Sequence, residues 1–211
     1  MYKCFLKRAI DVVLSACGLI AFSWLFLILA IAIKIDTPGP VFFRQKRIGL
    51  HRKHFNLIKF RTMRTDTPSN MPTHMLDTQS VRFTKLQRFL RKSSLDELPQ
   101  CWCILIGTMS IIGPRPALWN QDDLIAERDK YSANDVKPGL TGWAQINGRD
   151  ELPIVVKARL DGEYAEKIGF GFDVKCFFGT VISVLKSNGV VEGGTGAVEA
   201  VKLEQKEIVT K

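Results

Sequence analysis

The sequence predicts a helix-rich α+β protein, with an N-terminal re-entrant membrane helix followed by one small domain at the cytoplasmic face that combines interfacial amphipathic helices and short strands. Three observations lead there. Val12 to Ile33 carries no charged residue, about the length needed to cross a hydrocarbon core as a helix. Basic residues flank that run on both sides, Lys3, Lys7 and Arg8 before it and Lys34, Arg44, Lys46 and Arg47 after it. The rest of the 211 residues alternates short apolar stretches, helical repeats and Pro-Gly turns, enough chain for one domain with a core.

The apolar run exceeds the usual h-region of a signal peptide and leads into Lys34-Ile-Asp-Thr37 with no small-residue cleavage pattern. Basic flanks on both sides are held on the cytoplasmic side by the positive-inside rule, which a helix that dips and returns satisfies and a straight span does not. A bend at membrane depth needs partners for the freed carbonyls, and Ser23, near the middle, is the candidate. A single-pass anchor with a cytoplasmic domain is the alternative.

Thr37-Pro-Gly-Pro40 ends the segment, because prolines and glycine neither continue a helix nor fill a central strand. Residues 41–63 pair apolar with basic residues around Gly49 and read as two short strands or a hairpin. Residues 64–80 read as a loop rich in Thr, Ser, Pro, Asn and Asp. Val81 to Lys92 sets Leu86, Phe89 and Leu90 on one helical face and Arg82, Lys85, Arg88 and Lys92 largely on the other, as a core helix or an interfacial one does. Ile111 to Pro116 is extended or turned by its prolines. A short charged helix is expected over 121–132, a turn over Lys137 to Gly142, a strand over Trp143 to Ile146 and a turn at Asn147-Gly148. Asp173 to Lys186 repeats Val174, Phe177, Phe178, Val181 and Ile182 at helical spacing. The organisation predicted is 1–40 membrane-embedded, 41–187 one folded domain and 188–211 a flexible tail, since Gly193-Gly-Thr-Gly196 lacks the lysine of a phosphate loop.

A net charge of +9 and a pI near 9.4 suit an anionic partner, whether nucleic acid, phospholipid or a phosphorylated substrate. No reader motif supports nucleic acid. Five cysteines without framework spacing fit a reducing compartment, and Cys101-Trp-Cys103 lacks the companions of a zinc site.

Chemistry concentrates in Ser93-Ser-Leu-Asp-Glu-Leu-Pro-Gln100. Taken alone, Asp96-Glu97 reads as a solvated helix start capped by Ser94 or Asp96. Its setting adds Arg91 just upstream, Arg115 in Gly113-Pro-Arg-Pro116, and Lys59 and Arg61 in Lys59-Phe-Arg61. Fixed cations beside adjacent carboxylates suit phosphate transfer, because arginine forks bind phosphate oxygens, acids hold a divalent ion, and a carboxylate can attack phosphorus.

The chain resembles the bacterial sugar transferases, also called monotopic phosphoglycosyl transferases. The resemblance runs through Lys7-Arg-Ala-Ile-Asp11, Asp36-Thr-Pro-Gly-Pro-Val-Phe-Phe-Arg-Gln45, Lys59-Phe-Arg-Thr-Met63, Leu95-Asp-Glu-Leu-Pro-Gln100, Met109-Ser-Ile-Ile-Gly-Pro-Arg-Pro116, Pro138-Gly-Leu-Thr-Gly142 and Gln145-Ile-Asn-Gly-Arg149. It implies that 41–187 is a catalytic domain using Mg²⁺, held by Asp96 and Glu97. Asp96 would attack the β-phosphate of a UDP-sugar, expel UMP and pass the phosphosugar to undecaprenyl phosphate at the bacterial inner membrane. Arg91, Arg115, Lys59 and Arg61 would contact phosphate. Membrane lipid, downstream glycosyltransferases and a homodimer complete the implied partners. The chain departs from the pattern at Ser23-Trp24, where a Ser-Pro pair commonly breaks the helix, and at Gly107-Thr-Met-Ser110 and Gly169-Phe-Gly-Phe-Asp173. The rival reading is a catalytically silent membrane-tethered module that binds anionic lipid or a partner enzyme.

Overall fold

The computed structural model describes residues 2–65, 83–148 and 152–185. Most of the expected 64–80 loop, the start of the helix expected at Val81, Arg149 and the 188–211 tail lie outside them.

The architecture is helix-rich α+β with two small sheets. After a π-helical turn at Tyr2–Leu6, α1 (Lys7–Ala21) and α2 (Ser23–Asp36) meet at a 60° bend. Phe22 leaves helical geometry there, with φ −99° and ψ 9°, and no proline is involved. No single helix among the described residues is long and apolar enough to cross a membrane, although the bent pair together has the length and composition.

The bend follows from where the two halves dock. In α1 the buried Asp11 accepts through Oδ1 from the Ser110 hydroxyl (3.1 Å) and the Ile111 amide (2.9 Å). One turn earlier Arg8 donates to the carbonyls of Ile104 (2.6 Å) and Leu105 (2.7 Å). In α2, Leu29 and Ile33 are buried against Phe60 and Leu90. The two halves therefore answer to different parts of the domain. Their other faces leave Ile20, Phe22, Trp24, Leu27, Ile31 and Ile35 exposed.

The expected hairpin is present: β1 (Phe42–Ile48) pairs antiparallel with β2 (His54–Phe60), from Phe42 opposite Phe60 to Ile48 opposite His54. Helix α3 (Lys85–Lys92) starts on a capping box, with Thr84 accepting from the Gln87 amide and Gln87 from the Thr84 amide. Thr84 Oγ1 also donates to Asp36 (2.8 Å), tying α3 to the end of α2. Leu90 is buried and the basic residues Lys85, Arg88 and Lys92 are exposed, but Phe89, expected on the apolar face, points outward. A 3-10 turn at Leu95–Glu97 leads to α4 (Gln100–Ile106), which Gly107 closes in the left-handed region at φ 90°.

The second sheet corrects the expectation. Strand β3 (Ser110–Ile112) pairs in parallel with β4 (Gly139–Thr141), where a turn was expected, and Trp143–Ile146, expected as a strand, is helix α6. The glycines here permit close approach rather than reversal: a Cβ on Gly139 would lie 2.1 Å from the Gly113 nitrogen, and one on Gly142 2.1 Å from the Gly113 oxygen. Between the strands lies α5 (Asp122–Asp129), as the charge pattern predicted.

Helix α7 (Ile154–Lys167) was not anticipated, and α8 (Phe170–Leu185) begins earlier than its apolar repeat. Both bring buried groups to β3: Tyr164 donates to the Ile112 carbonyl (3.0 Å) and to Asp173 Oδ1 (2.7 Å), while Tyr2 and Lys7 each donate to Asp173 Oδ2 at 2.6 Å. Cys103 and Cys176 are buried core residues, and Cys17, Cys101, Cys103 and Cys176 are free thiols. Gly142→Ala should lower the unfolding midpoint in detergent by the equivalent of about 3 kcal/mol, the upper range for overpacking, because the nearest atoms are backbone; an unchanged midpoint would refute the crossing geometry.

Candidate active site

The turn that carries Asp96 and Glu97 is shaped by its neighbours. Ser94 sits in the left-handed region at φ 56°, which reverses the chain out of α3, and neither Ser94 nor any other side chain caps the turn. The helix-cap reading of Ser94 or Asp96 is therefore not realised. Leu95 and Leu98, three residues apart and so on one side of a 3-10 turn, pack on the Leu29, Ile33, Phe60 and Leu90 cluster. Asp96 is buried, 8% exposed.

The site draws on four segments. From β2, Lys59 Nζ donates to Glu97 Oε1 at 2.7 Å; from the loop after β3, Arg115 Nη2 donates to the same oxygen at 3.0 Å. Arg91, on α3, adds its charge to the field at Asp96 and stacks over the Phe83 ring at 4.7 Å. Of the cations singled out in the sequence, Lys59, Arg91 and Arg115 act together on Asp96.

Arg61 is placed elsewhere. It is 4% exposed, and its guanidinium donates to the carbonyls of Thr37 (2.7 Å), Pro38 (2.9 Å) and Pro40 (2.7 Å). It locks the Pro-Gly-Pro corner after α2, so its donors face backbone rather than a substrate phosphate.

The two acids have opposite electrostatics. Burial, helped by the negative Glu97, raises Asp96 to about 6 despite Lys59, Arg91 and Arg115. Burial also pushes Glu97 up, but Lys59 and then Arg115, through charge and hydrogen bonds, outweigh it and hold its carboxyl well below the usual range. At Asp96 desolvation outweighs the three cations, which leaves its pKa pushed up to about 6 and the carboxyl ionised at neutral pH.

Residues 2–187 match the bacterial sugar transferase family. The chain belongs to that family of enzymes. It is 41% identical over 185 residues to the uncharacterized sugar transferase EpsL of Bacillus subtilis, covering 88% of this chain and 90% of that protein. It is 40% identical over 189 residues to the UDP-glucose:undecaprenyl-phosphate glucose-1-phosphate transferase of Escherichia coli, covering 83% of this chain but 39% of that longer protein. The UDP-N-acetylgalactosamine-undecaprenyl-phosphate N-acetylgalactosaminephosphotransferase of Aeromonas hydrophila is 32% identical over 193 residues, covering 88% of this chain and 45% of that protein.

The donor set of this sugar transferase fits one kind of metal site. Asp96 and Glu97 are hard oxygen donors, but among the described residues no group of three or more His, Cys, Asp or Glu could hold a metal. Glu97 Oε1 already receives two cations. A pair of this kind suits Mg²⁺ shared with substrate phosphates and water, and not an all-protein cage.

Arg128, Asp161, Asp173 and Asp11 are buried and Arg47 is half-buried, and none of them was given a structural role from the sequence. Asp11 carried a signal, as a lone acid at the threshold of an uncharged run. The others look like ordinary surface charges in the sequence.

The acids make opposite contributions to stability. Because Asp96 has its pKa raised from 3.8 to about 6, the folded chain binds more protons than the unfolded chain in that window, and stability falls as pH rises through it. Above the window the effect is about 3 kcal/mol. Asp96→Asn should therefore raise the melting midpoint at neutral pH and erase this falling limb. Glu97→Gln should lower the midpoint, by less than the ~3–5 kcal/mol of a fully buried broken pair, because the Arg115 side chain is 35% exposed. Shifts of the same sign would overturn the assignment.

Proposed function

We propose that the protein transfers a phosphosugar from a UDP-sugar to undecaprenyl phosphate and releases UMP, through a covalent intermediate on Asp96. The observation that carries this is the setting of two adjacent carboxylates among three cations: Asp96 is buried, which pushes its pKa up to about 6, and Glu97 accepts hydrogen bonds from Lys59 and Arg115 that hold it ionised. Above its pKa, Asp96 is an ionised and poorly solvated carboxylate, which is what a nucleophile requires.

An Asp96 carboxylate oxygen attacks the β-phosphorus, and the bond from that phosphorus to the bridging oxygen breaks as UMP leaves. An oxygen of undecaprenyl phosphate then attacks the same phosphorus, the acyl-phosphate bond breaks, and the Asp96 carboxylate is restored. Arg91 and Arg115 are the phosphate-orienting cations, and Lys59 keeps Glu97 ionised and in place. Bound Mg²⁺ would neutralise diphosphate charge beside Asp96 and Glu97. The product is the first lipid-linked intermediate of a capsule, exopolysaccharide or other glycan, for downstream glycosyltransferases to extend. The relatives bear the names of glucose and N-acetylgalactosamine enzymes, and the sugar here is left to assay.

We read α1–α2 as a re-entrant element in the bacterial inner membrane, with the domain on the cytoplasmic face. Supporting this, both ends of the pair are tied to one domain, through Arg8 and Asp11 at the start and Asp36 at the end. The residues around the bend, Ile20, Phe22 and Trp24, are apolar and exposed.

Nanodisc-held protein with UDP-sugars, undecaprenyl phosphate and Mg²⁺ should release UMP, with activity falling as pH drops through about 6; Asp96→Asn should abolish release, and intact mass should detect a phosphosugar adduct on native chain given donor alone. No release from any donor would favour the silent lipid- or partner-binding module. In a background without native cysteines, single cysteines placed at positions 2 and 50 should be labelled from the same membrane face. Labelling from opposite faces would sink the re-entrant reading and leave the chemistry standing.

A further inference from the structure

The loop that presents Arg115 is held by a different element at almost every carbonyl. Pro114 and Pro116 have no amide hydrogen to give, so the segment cannot build its own ladder. Instead Ile112 O accepts from the Tyr164 hydroxyl (3.0 Å), Pro114 O from the Gly139 amide (2.8 Å), Pro116 O from Arg47 Nη1 (2.8 Å) and Ala117 O from the Ile48 amide (2.9 Å). The remaining contact falls on Arg115 itself: its carbonyl accepts from Arg128 Nη2 at 2.9 Å.

Arg128 is not a surface arginine. Its Nε and Nη2 donate to Asp161 Oδ2 at 2.9 and 2.6 Å, joining α5 to α7 with side chains 4% and 1% exposed. A buried ion pair is often no more stabilising than apolar residues of the same volume, so packing alone is a weak reason for one. Arg115, by contrast, has a side chain 35% exposed. Its guanidinium reaches Glu97 from a backbone whose carbonyl Arg128 holds.

We infer that Arg128 and Asp161 are a positioning pair, which holds the Arg115 backbone so that its guanidinium meets Glu97 and the transferring phosphate. The role rests on the phosphate-transfer reading. Neither residue touches substrate: Asp161 orients the Arg128 fork, Arg128 holds one carbonyl, and that carbonyl sets where Arg115 begins.

The test uses full-length protein in nanodiscs and the double variant Arg128→Met/Asp161→Leu, which removes both buried charges and leaves neither unpaired. Hydrogen exchange across residues 112–118 should rise while exchange in β1 and β2 stays at the native level. UMP release should fall about 10²-fold, the scale of a small misplacement of a reacting group, with kcat rather than KM carrying the loss. Arg115→Ala should be costly in the native chain and nearly without further effect in the double variant, the non-additivity of residues acting in series. Arg128→Lys, which keeps the charge but loses the fork, should show the same exchange and the same non-additivity, and it decides the matter where the double variant does not fold. Unchanged exchange at 112–118, or an equal Arg115→Ala penalty in both backgrounds, overturns the role. If native protein releases no UMP from any donor, the transfer reading fails, and exchange alone decides whether the pair holds the loop.

Discussion

The Glu97 carboxylate, accepting from Lys59 and Arg115 on one oxygen, is the contact on which the site depends. It joins β2, the turn after α3 and the loop after β3, which share no ladder of their own. Removing one partner of this half-buried contact leaves charge poorly compensated, so all three segments feel the loss of any one of them. The contact also determines what Asp96 is. Lys59 and Arg115 bond directly to Glu97 and also act on Asp96 through their charge, where burial exceeds them. Adjacent acids of nearly identical intrinsic chemistry thus become an ionised anchor and a desolvated carboxylate.

The bend between α1 and α2 has a similar origin in competing attachments. Continued straight, 15 residues of α1, Phe22 and 14 of α2 would extend about 45 Å at 1.5 Å per residue. The start is held at β3 and α4, and the end at α3 and the Phe60 cluster. A straight rod could not satisfy both. Proline makes a break cheap by removing a ladder bond, but two docking sites on one domain make it necessary, and Ser23-Trp24 then suffices.

Legibility in the sequence followed the range of the interactions. The hairpin was readable because alternation and Gly49 are local, and α8 because five apolar residues repeat at helical spacing. Helix α7 was not, since its buried face is Ala158, Asp161, Gly162 and Tyr164, a set with no apolar stripe. Strand β4 was hidden by Pro138 and Gly139, which ordinarily mark a turn and here allow two backbones to cross. Asp96, Glu97, Lys59, Arg91 and Arg115 could be singled out because cations and acids clustered in a few short motifs. Arg61 belonged to the same motif as Lys59, yet its partners are carbonyls twenty or more residues away. Whether a buried arginine serves substrate or backbone is decided by what it meets, which spacing does not encode.

The position of the dyad bears on how a water-soluble donor and a lipid acceptor could meet. Leu95 and Leu98 bracket Asp96 and Glu97 and pack in the same cluster as Leu29 and Ile33 of α2. The turn that carries Asp96 therefore shares one apolar cluster with α2, while its own neighbours are β2 and α3. On the proposed reading, the acceptor phosphate has to reach a carboxylate set beside the apolar cluster that α2 helps to build. The same cluster explains the burial of Asp96. Packing the flanking leucines into this cluster draws the residue between them out of water, and burial of that kind raises its pKa. Loosening Leu95 and Leu98 from the cluster would hydrate Asp96 and bring its pKa back toward the ordinary carboxylate value.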